Sequence, residues 1–260
     1  MKLFPLCDVL SENPARYCAA LVVTKNIIEG TNSWPRFAEP SHTLRNGTLT
    51  FVKSEGRVFG ITCWHVIEHF RKQLQISGNA FSHSLRTMVN GFYFVHDRFI
   101  RPESQFGDPP IDIAIRQINP DLLSDIGKEA IDLDLLSAPP QPLTHGLGVG
   151  FPETAKYKRM EDQIGYRVSM PQVEILAEID GLPTRRFTLF SELNEKPIHT
   201  DYSGMSGGPI FWSTENDFGV FGIIYEGGVG SELSDGNTVY LYGELATPVV
   251  IKSWINKVFG

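Results

Sequence analysis

Gly204-Met205-Ser206-Gly207-Gly208-Pro209 is the most informative stretch of this chain, and it runs directly into the apolar residues 210–212. This pattern predicts a glycine-rich loop that leads into a strand. A serine hydroxyl is a useful nucleophile only when a base takes its proton and donors hold the oxyanion that forms. Glycines permit an unusual backbone path, so the N–H groups of Gly204 and Ser206 can point toward one oxygen atom. We therefore predict Ser206 as a nucleophile, with these two amides as its oxyanion hole.

Two further segments supply the partners that such a serine needs. His65 follows an apolar strand pattern at 57–63, where a helix is predicted to begin, and Asp112 lies in the alternating apolar run 111–115. A buried carboxylate is unfavourable by several kcal/mol unless it is paired. We expect Asp112 to have a partner, and His65 is the natural one. Asp108 is a weaker candidate, because the Gly-Asp-Pro-Pro sequence around it is typical of a loop.

Taken in order, these segments resemble the chymotrypsin-like (trypsin-fold) serine peptidases, and more closely the bacterial trypsin-like peptidase domains. The resemblance lies in the order His, Asp, Ser, and in the contexts Thr-Cys-Trp-His-Val at 62–66, Asp-Ile-Ala-Ile at 112–115 and Gly-Met-Ser-Gly-Gly-Pro at 204–209. It implies an all-β fold of two antiparallel six-stranded β-barrels with a short C-terminal helix. The site is expected in the cleft between the barrels.

The resemblance also implies a reaction, which is hydrolysis of peptide bonds through an acyl-enzyme without a metal or an organic cofactor. In this scheme His65 is the general base, Asp112 fixes the tautomer of its ring, and Ser206 attacks the substrate. The backbone N–H groups of Gly204 and Ser206 stabilise the oxyanion.

A substrate pocket beside Ser206 is implied in the same way. Its residues are Thr200 and Asp201 near the floor, and Tyr225, Glu226 and Gly227 along a wall. Asp201, together with Glu226, favours a basic P1 side chain through charge pairing, and a small apolar P1 side chain is the alternative. Either carboxylate can instead be solvated or held by N–H groups of its own loop.

Met205 departs from the digestive members of this family, which have an acidic residue before the serine. In those enzymes a newly cut N-terminus pairs with the acid and orders the oxyanion hole, and methionine cannot form that ion pair. We therefore expect that cleavage near the N-terminus does not activate this protein. It is expected to be competent as made, or to be switched by a partner or by loop ordering.

Two other classes of function stay open. The segment 65–69 matches the H-x-x-E-H pattern of inverzincin metallopeptidases, in which His65 and His69 would bind zinc and Glu68 would activate water. That interpretation leaves Asp112 and the loop at 204–209 without a role, so the serine peptidase is preferred. A trypsin-fold binding module without catalytic activity is the other alternative.

The composition limits the partners. The formal net charge is −7 and no run of Lys or Arg occurs, which argues against nucleic acid, and no apolar stretch is long enough to span a membrane. Cys7, Cys18 and Cys63 form no evident disulfide framework, and the sequence lacks a signal-peptide core, so a cytoplasmic protein is expected. The expected partners are a protein or peptide substrate and, from the family resemblance, a regulatory protein of a bacterial stress or defence pathway.

The predicted organisation has four parts. A helix, strand and loop extension occupies 1–45, and a first barrel at 46–118 carries the histidine and the aspartate. A proline-marked connection at 119–142 leads to a second barrel and a C-terminal helix at 143–260. The 24 glycines and 17 prolines suit many short strands and turns better than long helices.

Overall fold

The computed structural model shows a mostly β protein with two sheets. It describes residues 4–27, 36–37, 46–79, 83–87, 93–94, 98–104, 108–155, 157–161, 165–181, 185–199, 201–230 and 237–260. The predicted all-β class is confirmed.

The first sheet has eight strands and curls into a half-barrel. Its strands are β1 Cys18–Ile27, β2 Arg36–Phe37, β3 Asn46–Ser54, β4 Arg57–Thr62, β5 His83–Thr87, β6 Tyr93–Phe94, β7 Ala114–Ile118 and β8 Ile131–Asp132. The hydrogen-bonded path is β6-β5-β1-β3-β4-β7, with β2 beside β1 and β8 beside β3. β1 belongs to the predicted N-terminal extension, yet it pairs with both β3 and β5 and so forms part of this sheet.

The second sheet is a closed six-stranded antiparallel barrel in the order β12-β13-β16-β15-β14-β9. Its strands are β9 His145–Gly150, β12 Val173–Asp180, β13 Arg186–Glu192, β14 Pro209–Ser213, β15 Phe218–Val229 and β16 Thr238–Leu245. A separate hairpin consists of β10 Tyr157–Glu161 and β11 Gly165–Ser169. Alternate residues of the barrel strands, among them Leu189, Ile210 and Leu241, are fully buried and form a common apolar cluster inside the barrel. This closed barrel and the C-terminal helix confirm two features of the predicted fold.

The helices are short, apart from two. They are α1 Asp8–Glu12, α2 Trp64–Ser77, α3 Asp121–Asp125 and α4 Pro248–Phe259, with 3-10 turns at Pro14–Tyr17 and Glu153–Ala155. The Thr247 hydroxyl caps α4 by accepting the N–H of Val250, and Pro248 occupies the first turn, where its missing N–H does no harm. Within the described residues, every helix is too short or too polar to cross a membrane.

The two sheets share an apolar core, which is separate from the cluster inside the second barrel. Although α4 follows the second barrel, it packs back on the first sheet, and the rings of Phe59 and Phe259 lie 5.4 Å apart between centroids. The N-terminal segment crosses in the other direction, because the Cys7 N–H donates to the Ser213 hydroxyl of β14 at 2.9 Å. These crossings hold the two sheets together.

Leu10, in the N-terminal segment, is expected to contribute strongly to stability, since its side chain is fully buried in this shared core. Leu10→Ala should lower the free energy of unfolding by about 2–5 kcal/mol, because it leaves a cavity. The matched control is Leu135→Ala, whose side chain is 81% exposed and whose loss should change stability by less than about 0.5 kcal/mol. Urea denaturation measures both values, and equal effects would contradict the packing of this segment.

Candidate active site

His65 and Asp112 form a close pair at the mouth of a cleft. His65 is the second residue of α2, and Asp112 lies two residues before β7. The Nδ1 atom of His65 is 2.7 Å from Oδ2 of Asp112, and the backbone N–H of His65 donates to Oδ1 at 3.0 Å. Both carboxylate oxygens therefore bind the same residue, which fixes the orientation of the imidazole ring.

The position of Asp112 differs from the sequence prediction in one respect. The apolar alternation placed it inside a strand, whereas β7 begins only at Ala114. Ile111 and Ile113 are nevertheless buried. Nε of Arg101 donates to the Ile111 carbonyl at 2.7 Å, and the N–H of Trp64 donates to the Asp112 carbonyl at 3.2 Å. Buried side chains and these hydrogen bonds thus fix the loop, although it is not paired with a neighbouring strand. The Asp112 carboxylate is available to His65.

Ser206 lies in the predicted glycine-rich loop before β14, and its backbone depends on two glycines with positive φ. The φ angles are 97° at Gly204 and 94° at Gly207, a region that favours glycine. Ser206 lines the same cleft, of about 610 Å³, as His65 and Asp112. Its hydroxyl donates to the carbonyl of Tyr225 at 2.9 Å, and no hydrogen bond joins it to another described residue.

The amides around Ser206 divide into two groups. The N–H groups of Met205, Gly207 and Gly208 donate to backbone carbonyls at 2.7–3.1 Å. Those of Gly204 and Ser206 donate to none of the residues that the structure describes. Both residues line the cleft, so these are the two N–H groups in the loop that a bound oxygen atom can still accept from.

Strand β3 anchors the serine loop, a role that the sequence-based prediction missed. The Thr48 hydroxyl donates to the Gly204 carbonyl at 2.9 Å, and the Thr50 hydroxyl donates to the Gly207 carbonyl at 2.7 Å. The Thr48 N–H also donates to the carbonyl of Ser206 at 2.8 Å. Both threonines are fully buried. Their alternate spacing, on either side of the buried Leu49, is the signal that could have identified them.

Met205, at which the sequence departs from the digestive peptidases, lies between Gly204 and Ser206. Its side chain is fully buried in the core of the second barrel, with Tyr202 and Trp212 in the same cluster. A Cβ atom on Gly150 would come within 2.9 Å of Met205 Cα, which shows how closely β9 approaches the loop. Apolar burial therefore anchors the residue between the two unpaired amides.

The predicted pocket residues differ in where the structure places them. Tyr225, Glu226 and Gly227 line the cleft, as does Asp201, while Thr200 lies outside the described residues. The Oδ1 atom of Asp201 accepts both the N–H and the hydroxyl of Ser203, at 2.8 and 2.6 Å. This carboxylate is thus held by its own loop, which was the alternative to recognition of a basic P1 side chain.

The zinc interpretation receives no support from the described side chains. Among them, the set of three potential ligands within 4.8 Å of one another is Cys63, His65 and Asp112, and it contains neither Glu68 nor His69. Glu68 instead pairs with Lys72 at 3.4 Å. Burial raises the pKa of the Cys63 thiol well above its ordinary range, and the charge of Asp112 raises it further. A protonated thiol is a poor zinc ligand.

The chain has matches among solved structures but none at the level of sequence families or curated sequences. No family model and no curated protein sequence matches the chain. One solved structure, of the thermostable serine protease AL20 from an extremophilic microorganism, is 9% identical, with 95% of this chain and 99% of that chain covered and a TM-score of 0.48. Another, from work on the coupled folding and binding of the intrinsically disordered Sesbania mosaic virus VPg protein, is 13% identical, with 88% and 91% covered and a TM-score of 0.40. At these identities and TM-scores the function has to be argued from the geometry of the chain itself.

Proposed function

We propose that this protein is a serine endopeptidase that uses Ser206, His65 and Asp112. The observation that carries the proposal is the meeting of three features in one cleft. These are the His65–Asp112 pair at 2.7 Å, the serine on its glycine loop, and the unpaired amides of Gly204 and Ser206. A base, a nucleophile and two oxyanion donors are the groups that acyl transfer needs.

In the proposed mechanism, the hydroxyl of Ser206 first leaves the carbonyl of Tyr225 by rotation about its Cα–Cβ bond. Its oxygen attacks the substrate carbonyl carbon while the free Nε2 of His65 takes the proton. The N–H groups of Gly204 and Ser206 then stabilise the oxyanion, and Asp112 stabilises the imidazolium. His65 returns the proton to the leaving amine, and a water molecule, activated by His65, hydrolyses the acyl-enzyme.

A fluorophosphonate probe tests this proposal directly, because it phosphonylates serine only where a base activates the hydroxyl. We expect mass spectrometry to map a single adduct to Ser206, and Ser206→Ala and His65→Ala to abolish it. Ser203→Ala is the matched control, since this serine lies in the same loop but its hydroxyl is bound to Asp201, and it should label like the unaltered protein. A folded protein that is not labelled would overturn the proposal.

A binding module without catalytic activity is the second candidate. It is favoured by one observation, that the Ser206 hydroxyl donates to Tyr225 and not to His65. The two candidates differ in whether the hydroxyl can reach the imidazole, and labelling at Ser206 decides between them. Restraint by a regulatory partner in a bacterial defence pathway, and a cytoplasmic location, stay predictions from the family resemblance.

A further inference from the structure

Asn46, the first residue of β3, lines the cleft but has no part in the proposed mechanism. It is only 6% exposed, and it binds the segment that follows β9 at two points. Its side-chain Nδ2 donates to the carbonyl of Phe151 at 2.6 Å, and its backbone N–H donates to Oε1 of Glu153 at 2.8 Å. A residue of the first sheet thus holds the chain on both sides of Pro152.

The same segment contacts the loop that carries the serine. The backbone N–H of Glu153 donates to the carbonyl of Ser203 at 2.6 Å. A Cβ atom on Gly204 would come within 2.5 Å of Asn46 Nδ2 and 2.6 Å of the Phe151 carbonyl oxygen. Gly204 therefore packs directly against the hydrogen bond that the Asn46 side chain makes.

The contact between Glu153 and Ser203 fixes the direction of one proposed oxyanion donor. The carbonyl of Ser203 and the N–H of Gly204 belong to one trans, planar peptide group, so the two bonds point in opposite directions. While the carbonyl accepts from Glu153, the N–H of Gly204 points away from that donor and stays available to a bound oxygen atom. Rotation of this peptide would break the hydrogen bond and turn a carbonyl, which repels an oxyanion, toward the cleft.

We infer that Asn46 is a positioning residue for the oxyanion hole. By holding Phe151 and Glu153, it keeps the Glu153 N–H on the Ser203 carbonyl and so keeps the N–H of Gly204 directed at the oxyanion. The inference rests on the proposed function, in which this N–H is one of two donors. A donor that is held in place before the reaction stabilises the transition state without reorganisation.

The test measures how fast a fluorophosphonate labels Ser206 at a series of probe concentrations, which separates the maximal rate kinact from the half-saturating concentration KI. Asn46→Ala removes the hydrogen bond to Phe151. We expect kinact to fall about ten-fold or more while KI changes less than about two-fold, because the donor acts in the transition state. The midpoint of the pH dependence should not move, since His65 is unaltered.

Leu10→Ala is the control for lost stability. Its side chain is fully buried away from the residues that line the cleft, so at a temperature below unfolding both kinact and KI should keep their normal values. A fall in kinact that follows stability in both variants would show that Asn46 is only a structural residue and would overturn the inference.

Three substitutions at Glu153 separate its contacts. Glu153→Gln keeps a side-chain oxygen for the Asn46 N–H, and this conservative variant should retain kinact to within about three-fold. Glu153→Ala removes that acceptor, and kinact should fall about ten-fold. Glu153→Pro also removes the N–H that binds Ser203, and the first position of a 3-10 turn accepts proline, so the loss should reach about 10²-fold.

The inference is overturned if Asn46→Ala keeps a normal kinact, or if Glu153→Pro loses no more than Glu153→Ala. The Glu153 series decides the question if Asn46→Ala does not fold. If the unaltered protein is not labelled at all, the proposed function fails. A crystal structure of Glu153→Pro then decides the inference, since it should show the Ser203–Gly204 peptide rotated, and an unchanged peptide would refute it.

Discussion

Replacing Asp112 with asparagine is expected to reduce kcat for peptide hydrolysis by about 10⁴-fold while leaving the fold intact. Both oxygens of this carboxylate accept hydrogen bonds from His65. In asparagine, Oδ1 can still accept the backbone N–H, but the side-chain NH₂ then faces Nδ1 of the ring. Nδ1 must become the acceptor, so Nε2 carries the proton and cannot take one from Ser206.

The rate of Ser206 labelling or of turnover of a peptide substrate measures this effect, with thermal denaturation as a check on folding. Asp108→Asn is the matched control, because this exposed aspartate is the other acid that the sequence offered in the same loop. It should label at the normal rate. Equal losses in the two variants, or a normal rate for Asp112→Asn, would show that His65 does not depend on Asp112.

Gly207→Ala is the second change with a large expected effect. The residue has a φ of 94°, and an added Cβ would clash with the carbonyl of Thr48 and lie 2.5 Å from the Thr62 hydroxyl. Backbone strain and overpacking together should lower the free energy of unfolding by about 3 kcal/mol or more. Labelling of Ser206 should fall as well, because the loop cannot keep its path against β3.

Gly56→Ala separates these two contributions. Gly56 also has a positive φ, 73°, but a Cβ atom there meets nothing within 4 Å. Its substitution should therefore lower stability by strain alone, about 1 kcal/mol, and leave Ser206 labelling unchanged. Urea denaturation and labelling rates measure both variants, and a Gly207→Ala loss no larger than that of Gly56→Ala would mean that the contact with β3 is unimportant.

Local signals were sufficient for much of the fold. Apolar alternation gave the strands around His65 and Ser206, and the Pro248 region gave the C-terminal helix, because these patterns depend on residues only a few positions apart. The pairing of Asp112 with His65 was predicted from chemistry, since a carboxylate among buried apolar residues needs a partner. The ends of the strands were predicted less accurately, since β7 begins at Ala114 and the apolar run begins at residue 111.

Local sequence patterns thus indicated which residue types could act as base, acid and nucleophile, and which loop needed glycine. The packing of the sheets was needed to see that the Ser206 hydroxyl donates to Tyr225, that Asp201 accepts hydrogen bonds from Ser203, and that Glu244 binds two arginines. The difference arises from how far apart in the sequence the interacting residues lie. Local patterns fix local backbone and burial, whereas hydrogen bonds between strands that are dozens of residues apart depend on how the sheets pack, which no short stretch of sequence encodes.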